Sequence, residues 1–173
     1  MPITWRRRRA TYDPHRARLG LIESMRAVMA ARNRVEQERL RLMRRSLGKS
    51  AADGQVVARL YLLESLLERV YLRLNTLIVG GYIDWRSLAL TVGLVRQALS
   101  RYGHLSPDIT SQLAKIEGDL TQLWASVEAP AEEDVGMSSV DSEVQRIVKE
   151  AEEEALRKVG RAGPSPAEAA SSS

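Results

Sequence analysis

The fold is decided by the stretch VVARLYLLESLLERVYLRLNTLIVGG (residues 56–81). Its apolar residues follow one another in steps of four and three residues over three heptads, and this spacing predicts a helix with a coiled-coil-like seam. The seam begins at Val56 and continues through Leu60, Leu63, Leu67, Val70, Leu74 and Leu77. We interpret these residues as a stripe that forms either the core of a helical bundle or a surface for assembly. Leu62, Leu66 and Tyr71 widen the apolar face, which indicates more than one neighbouring helix.

A long basic helix is predicted before this stretch. It begins at Asp13-Pro14, because Asp can cap a helix and Pro suits the first helical position, and it continues to Leu47. Its apolar stripe is thin, so this helix is only weakly able to bury itself alone. A polar turn, GKSAADGQ (residues 48–55), separates it from the second helix.

Two shorter helices are predicted after the second helix. The pair Gly80-Gly81 ends the second helix, Asp84 caps the third, and Ser106-Pro107 begins the fourth. Both shorter helices carry apolar residues in steps of four and three. Residues 14–127 are therefore predicted to form an all-α core, made of a long helical hairpin with two shorter helices.

The chain changes character after residue 127. Residues 128–139 contain a proline, several acids and no apolar periodicity, so we predict an acidic linker. Residues 140–160 are predicted to form a short fifth helix that docks onto another surface, because its apolar face is too small to nucleate a core. That face consists of Val144, Ile147 or Val148, Ala151, Ala155 and Val159. Residues 161–173 are predicted to be a disordered tail from their composition.

The net charge of +4 conceals a gradient along the chain. Residues 1–49 contain fourteen basic and four acidic residues, whereas residues 50–127 contain seven of each. Residues 128–173 contain five basic and eleven acidic residues. The basic head predicts an anionic partner, and the acidic segment can compete for the same site. We therefore expect the acidic segment to restrain the basic first helix, partly through charges that salt screens.

The stretch MPITWRRRR at the start of the chain predicts a membrane-binding tail (residues 1–13). An anionic bilayer attracts each nearby basic residue by about 1 kcal/mol, and Trp5 suits the membrane interface. The four consecutive arginines then contribute about 4 kcal/mol, which is about millimolar binding for one copy and needs the avidity of many copies. The predicted membrane-binding residues are Ile3, Trp5, Arg6, Arg7, Arg8, Arg9, Arg16 and Arg18.

Two alternatives remain open for the basic N-terminal half. Its arginines would bind the phosphates of nucleic acid equally well, although nucleic acid is the less favoured partner because no DNA-binding motif or run of aromatic residues for base stacking is present. The protein could also be a plain coiled-coil scaffold, in which the arginine run is only a solvated tail. The first alternative predicts binding to duplex DNA, and the second predicts a small oligomer of fixed size.

The sequence indicates no catalytic or metal-binding chemistry. It contains no cysteine, and its two histidines, His15 and His104, lie far apart. The segments GGYIDW and SLGKSAADG lack the strand and the glycine spacing of a phosphate-binding loop. No apolar run approaches the roughly 20 residues that span a bilayer. We therefore predict a protein that is not an enzyme, uses no cofactor or metal, and is soluble or lies on a membrane without crossing it.

Several segments together resemble ESCRT-III proteins, and among these the archaeal cell-division type, the CdvB paralogues. The second to fourth helices of that family are similar to LYLLESLLERVYLRLNTLIVGG (60–81), LALTVGLVRQAL (88–99) and SPDITSQLAKIEGDLTQL (106–123). Its fifth helix, which follows an acidic linker, is similar to SEVQRIVKEAEEEALRKV (142–159). The order of parts matches over residues 14–160.

The resemblance implies a cytoplasmic protein, peripheral on the inner face of the cell membrane, that acts at the division site. It implies filaments of this chain and of paralogous ESCRT-III subunits on anionic lipids, which constrict or sever membrane necks. An AAA ATPase of the Vps4 class would be a partner, directly or through another subunit. The fifth helix would fold back on the hairpin as an autoinhibitory element, and Gly80 and Gly81 would be either a hinge that straightens on opening or an ordinary turn.

Overall fold

The computed structural model describes residues 13–45, 51–127 and 133–162. These ranges form five α-helices and no strand, which confirms the predicted all-α fold. The helices are α1 (Pro14–Arg45), α2 (Ala51–Gly80), α3 (Trp85–Tyr102), α4 (Pro107–Ser126) and α5 (Glu133–Ala162). A short 3-10 turn, Gly103–Leu105, joins α3 to α4.

The helices pack around α2 and α3. Helix α2 contacts α1, α3 and α5, while α4 contacts α1 and α3. The α2 stripe from Leu60 to Leu77 is buried along its whole length, and Leu21, Val28 and Val35 of α1 have no exposed surface. In this conformation the stripe lies in the core, because three neighbouring helices cover it. Its use in assembly stays a prediction.

A buried arginine fixes α1 against α2. The side chain of Arg39 is 8% exposed, and its Nε lies 3.0 Å from Oε2 of Glu64. Its guanidinium lies 4.0 Å from the centre of the Tyr61 ring and donates a hydrogen bond of 2.9 Å to the Tyr61 hydroxyl. These two partners, Glu64 and Tyr61, satisfy the charge, which would otherwise be costly to bury. A second pair, Arg32 with Glu68 at 3.9 Å, continues the antiparallel register.

Three helix boundaries differ from the sequence predictions. Helix α2 begins at Ala51, so residues 51–55 of the predicted turn are helical. Helix α5 begins at Glu133 and ends at Ala162, so residues 133–139 of the predicted linker and residues 161–162 of the predicted tail are helical too. Adding a residue to an existing helix needs no new nucleus, so a long helix tolerates polar residues and glycines at its ends. Residues 46–50, 128–132 and 163–173 lie outside the described ranges.

The predicted start of α3 is confirmed in detail. The Asp84 carboxylate accepts hydrogen bonds from the Ser87 backbone N–H at 3.0 Å and from the Ser87 hydroxyl at 2.9 Å. At the start of α1, the Asp13 carboxylate accepts a hydrogen bond from the His15 backbone N–H at 3.0 Å. Pro107 takes the first position of α4 as predicted, but the Ser106 side chain makes no capping hydrogen bond.

The two glycines between α2 and α3 have different conformations. Gly80 is the last residue of α2, whereas Gly81 has φ of 69°, in the left-handed region. A side chain at Gly81 would be strained there, although neither glycine has a neighbouring atom in the space that a Cβ would occupy. Gly81 therefore reverses the chain, and Gly80 lengthens the helix.

We expect Gly81→Ala to lower the free energy of unfolding by about 1–2 kcal/mol, because the Cβ of alanine strains the left-handed backbone conformation that glycine adopts freely. The matched control is Gly80→Ala, which should leave stability unchanged or raise it by about 0.5–1 kcal/mol. Urea unfolding followed by circular dichroism measures both. Equal effects of the two substitutions would show that the left-handed conformation of Gly81 does not hold the turn.

Candidate functional site

The candidate site is the groove between α2 and α3 that α5 occupies. The inward face of α5 is almost completely buried, and its members are 1–3% exposed: Val140, Val144, Ile147, Val148, Ala151 and Ala155. This set contains five of the six residues that we predicted for the docking face of the fifth helix, and the sixth, Val159, is half-buried. Burial of each Val or Ile contributes about 1.5–3 kcal/mol before the entropy of ordering the helix is subtracted.

A close approach at Gly93 sets the depth of the groove. A Cβ placed on Gly93 of α3 would lie 2.8 Å from Cγ2 of Val144 on α5, which is closer than carbon atoms can pack. The valine side chain has little freedom to turn away, because a β-branched residue in a helix has one strongly preferred rotamer. The absence of a side chain at Gly93 is therefore what lets α5 seat against α3.

Four arginines surround the groove and pair with acids of α5. On α2, Arg69 lies 3.0 Å from Glu154, and Arg73 lies 3.9 Å from Glu143. On α3, Arg86 lies 3.6 Å from the same Glu143. Near the end of α3, Arg101 pairs with Glu152 at 2.7 Å and donates a longer hydrogen bond to Gln145.

These ion pairs are partly exposed, so each contributes only about 0.2–1 kcal/mol. They lie on both sides of the apolar face, and their positions therefore fix the rotation and the register of α5 in the groove. Salt screens such pairs. Because the buried apolar face is insensitive to that screening, salt alone should weaken the docking of α5 without abolishing it.

The phenol of Tyr102 also belongs to the site. Its hydroxyl lies 3.2 Å from the Glu152 carboxylate and donates a hydrogen bond to it. Burial, reinforced by the negative charge of Glu152, raises the pKa of Tyr102 from 10.0 to about 12. The pKa of Glu154, another acid of α5, is lowered, because its carboxylate accepts hydrogen bonds from Lys158 and from Arg69.

Among the described residues, the acids of α5 form their interhelical ion pairs beside α2 and α3, so the expected restraint of the first helix by the acidic segment stays a prediction. Within the described part of the chain, the interhelical ion pairs of α5 reach α2 or α3, and α5 packs against these two helices. Of the α1 arginines, Arg32 and Arg39 pair with acids of α2, and Arg34 pairs with Asp108 of α4. A count of charge by segment misses this arrangement, because residues 50–127 are neutral in sum while their arginines gather beside α5.

The remaining predicted residues are distributed as follows. Ile3, Trp5 and Arg6 to Arg9 lie outside the described residues. Arg16 and Arg18 are exposed in the first turns of α1. Gly80 and Gly81 lie at the turn between α2 and α3.

Sequence reasoning missed Gly93 and the arginines of the groove. A signal for Gly93 was present, because a glycine inside a strongly periodic helix costs about 1 kcal/mol relative to alanine and usually has a packing reason. The arginines gave no comparable signal. Their spacing on α2 and α3 is that of an ordinary solvated helix face.

We expect Gly93→Ala to loosen α5 while α1 and α2 stay folded, because the added methyl group overlaps Val144. Overpacking of this kind costs about 1–3 kcal/mol. Amide hydrogen exchange resolved by peptide should show faster exchange over residues 140–159. Gly118→Ala on α4 is the matched control, since no atom lies within 4 Å of its added Cβ. Unchanged protection of α5 in the Gly93 variant would contradict the close approach.

The Tyr102 phenol predicts a loss of stability at alkaline pH. Its folded-state pKa lies above its ordinary value, so its contribution is complete below about pH 10 and is lost as the pH rises through about 12. Between these pH values, the wild-type protein should lose more unfolding free energy than Tyr102→Phe, which has no phenol to ionise. Urea titrations at several alkaline pH values test this. Parallel losses in the two proteins would show that Tyr102 is not linked to folding.

The described residues contain no helix that is long and apolar enough to span a bilayer, and no cluster of His, Asp and Glu that could hold a metal ion. No protein-family model matches this chain, and no curated protein or solved structure is significantly similar to it.

Proposed function

We propose that this protein is a non-enzymatic subunit that assembles into filaments on anionic membranes and remodels or severs membrane necks, in the manner of ESCRT-III proteins. The observation that carries the proposal is the docking of α5 across α2 and α3. A separate helix covers an apolar groove and neutralises the arginines beside it. We infer that the described conformation is the closed, unassembled state.

The chemistry of the groove supports an exchangeable cover. If α5 leaves, the apolar residues of α2 and α3 beneath Val144 and Ile147 lose their cover, and the arginines that pair with Glu143, Glu152 and Glu154 lose their partners. An exposed surface of this kind is stable only against another apolar partner with acidic neighbours or against an anionic surface. A neighbouring copy or a bilayer with anionic headgroups satisfies these requirements.

The weak N-terminal tail fits the same scheme. Four arginines hold a single copy at an anionic membrane with about millimolar affinity. Assembly multiplies that affinity through avidity, so a protein whose assembly is restrained by α5 would also attach to membranes only when α5 is released. Membrane attachment is thereby coupled to polymerisation.

The more specific parts of the proposal follow from the resemblance to the archaeal cell-division type. They are a location on the inner face of the cell membrane at the division site, co-assembly with paralogous subunits, and disassembly by an AAA ATPase of the Vps4 class. In this scheme Gly80-Gly81 is either an ordinary turn that keeps its shape during assembly or a hinge at which α2 and α3 straighten. If it is a hinge, the left-handed Gly81 is the residue whose conformation must change.

A chain that ends after residue 127 should assemble on anionic liposomes at a lower protein concentration than the full-length chain, because α5 no longer covers the groove. Light scattering and negative-stain electron microscopy measure assembly, and full-length Gly93→Ala should show a shift in the same direction. Gly118→Ala is the control.

Two results would contradict this proposal. A truncated chain that stays monomeric on anionic liposomes would remove the restraining role of α5. In a competition experiment at matched salt, duplex DNA could displace the protein from liposomes as readily as liposomes displace it from DNA. That result would instead favour binding to phosphates in general.

A further inference from the structure

Two large apolar side chains protrude from the turn between α2 and α3. Val79 and Tyr82 are each 77% exposed, more than any other large apolar residue in the described part of the chain. The residues on either side of them, Leu77 and Ile83, are 6–7% exposed. The turn therefore buries its flanking residues and leaves these two in solvent.

The turn is a fixed structure. Gly81 adopts the left-handed conformation that reverses the chain. Directly after it, Asp84 caps α3 through two hydrogen bonds to Ser87. Trp85, which is 8% exposed, packs against Trp124 of α4 with 5.4 Å between ring centroids. Val79 and Tyr82 are consequently held outward by an anchored base, so presenting them to a partner costs little additional ordering.

Basic residues lie around this turn. The pairs Arg32–Glu68 and Arg39–Glu64 define the antiparallel register of α1 and α2, and extending that register brings Gly80 level with residues 20–23 of α1. Arg16, Arg18 and the half-exposed Leu19 lie within about two helical turns beyond that level.

Across the turn, Arg86 projects from the first turn of α3 and its side chain is 55% exposed, with Glu143 as its partner. Asp84, the carboxylate closest to the turn in sequence, is engaged as a helix cap, and Glu143 pairs with Arg73 as well as with Arg86. The apolar centre therefore has Arg16, Arg18 and Arg86 at its border, at the end of the molecule where α1 begins.

We propose that the α2–α3 turn is a second point of contact with an anionic lipid bilayer, in which Val79 and Tyr82 enter the interface while Arg16, Arg18 and Arg86 contact headgroups. The inference rests on the proposed membrane function, takes Gly80-Gly81 as the ordinary turn rather than the hinge, and names the surface that contacts the lipid. Tyrosine is enriched at membrane interfaces, and the basic border is complementary to anionic lipid. Since one weak anchor gives only marginal binding, two anchors at the same end give a stable and oriented attachment.

A second copy of the chain is the competing occupant, and Leu72 separates the two cases. This residue is 52% exposed and lies seven positions before Val79 on the same face of α2, about 10 Å further from the end of the molecule. A bilayer that contacts the turn does not reach Leu72. A helix of another copy packed along this face would cover both residues.

The first experiment places an environment-sensitive fluorophore at the turn of the full-length chain. The protein contains no cysteine, so Gly80→Cys gives a single attachment point that leaves Val79 and Tyr82 intact. Met43→Cys, at the C-terminal end of α1, is the control. On liposomes with a third of their lipids anionic, the label at position 80 should shift to the blue and be quenched by lipids brominated near the headgroup. The label at position 43 should do neither.

The second experiment measures affinity. The double variant Val79→Ser with Tyr82→Ser should bind the same liposomes about tenfold more weakly, with unchanged circular dichroism. Leu72→Ser should bind as wild type does.

If the protein binds liposomes while the fluorescence of the label at position 80 does not change, this inference is overturned and the proposed function stands. Weaker self-association of Leu72→Ser without lipid, together with wild-type lipid binding by the double variant, would assign the turn to a second copy. Absence of any binding by both the wild-type chain and the chain that ends after residue 127 would overturn both proposals.

Discussion

The structure depends on the wide apolar face of α2, because three other helices bury their apolar residues against it. Helix α1 packs on one side of it and α3 and α5 pack on the others. The contact with α1 also contains the buried Arg39, which is held by Glu64 and Tyr61. Removing Glu64 would leave a buried charge without its carboxylate partner, which typically costs several kcal/mol. Arg39 therefore fixes α1 against α2.

The contact with α5 is built differently. Its apolar residues are mostly small, its ion pairs are half-exposed, and its close packing depends on the missing side chain of Gly93. Under the proposed function, anionic headgroups or acids of another copy would compete with Glu143, Glu150 and Glu154 for the arginines of α2 and α3. This places the electrostatic competition beside α2 and α3 and away from the basic first helix, where the charge gradient of the sequence suggested it.

Features with a strong local cause could be predicted from the sequence. The period of the α2 stripe, the carboxylate cap at Asp84 and the apolar face of α5 each depend on residues within a few turns of one another. The extra turns at the start of α2 and α5 were missed, because helix propagation overcomes weak local preferences.

Features that depend on tertiary approach could not be predicted in the same way. The contact of Gly93 with Val144 joins residues far apart in the chain, and nothing in the sequence near either residue names its partner. In the sequence, Arg39 is one of many arginines on a helix with a narrow apolar stripe, so nothing distinguishes it from a solvated residue. Its burial follows from the register of α1 on α2, which sequence periodicity leaves undetermined. The ion pairs of Arg69 and Arg101 depend in the same way on where α5 docks.

The central claim is that α5 leaves its groove when the protein assembles on a membrane. Spin labels at Asn75→Cys on α2 and Lys149→Cys on α5, both exposed positions, report the separation of these helices by pulsed dipolar spectroscopy. Dilution with unlabelled protein restricts the signal to labels within one chain. We predict one narrow, short distance in solution and a long or broad distribution on anionic liposomes. The same short distance in the assembled state would contradict the account.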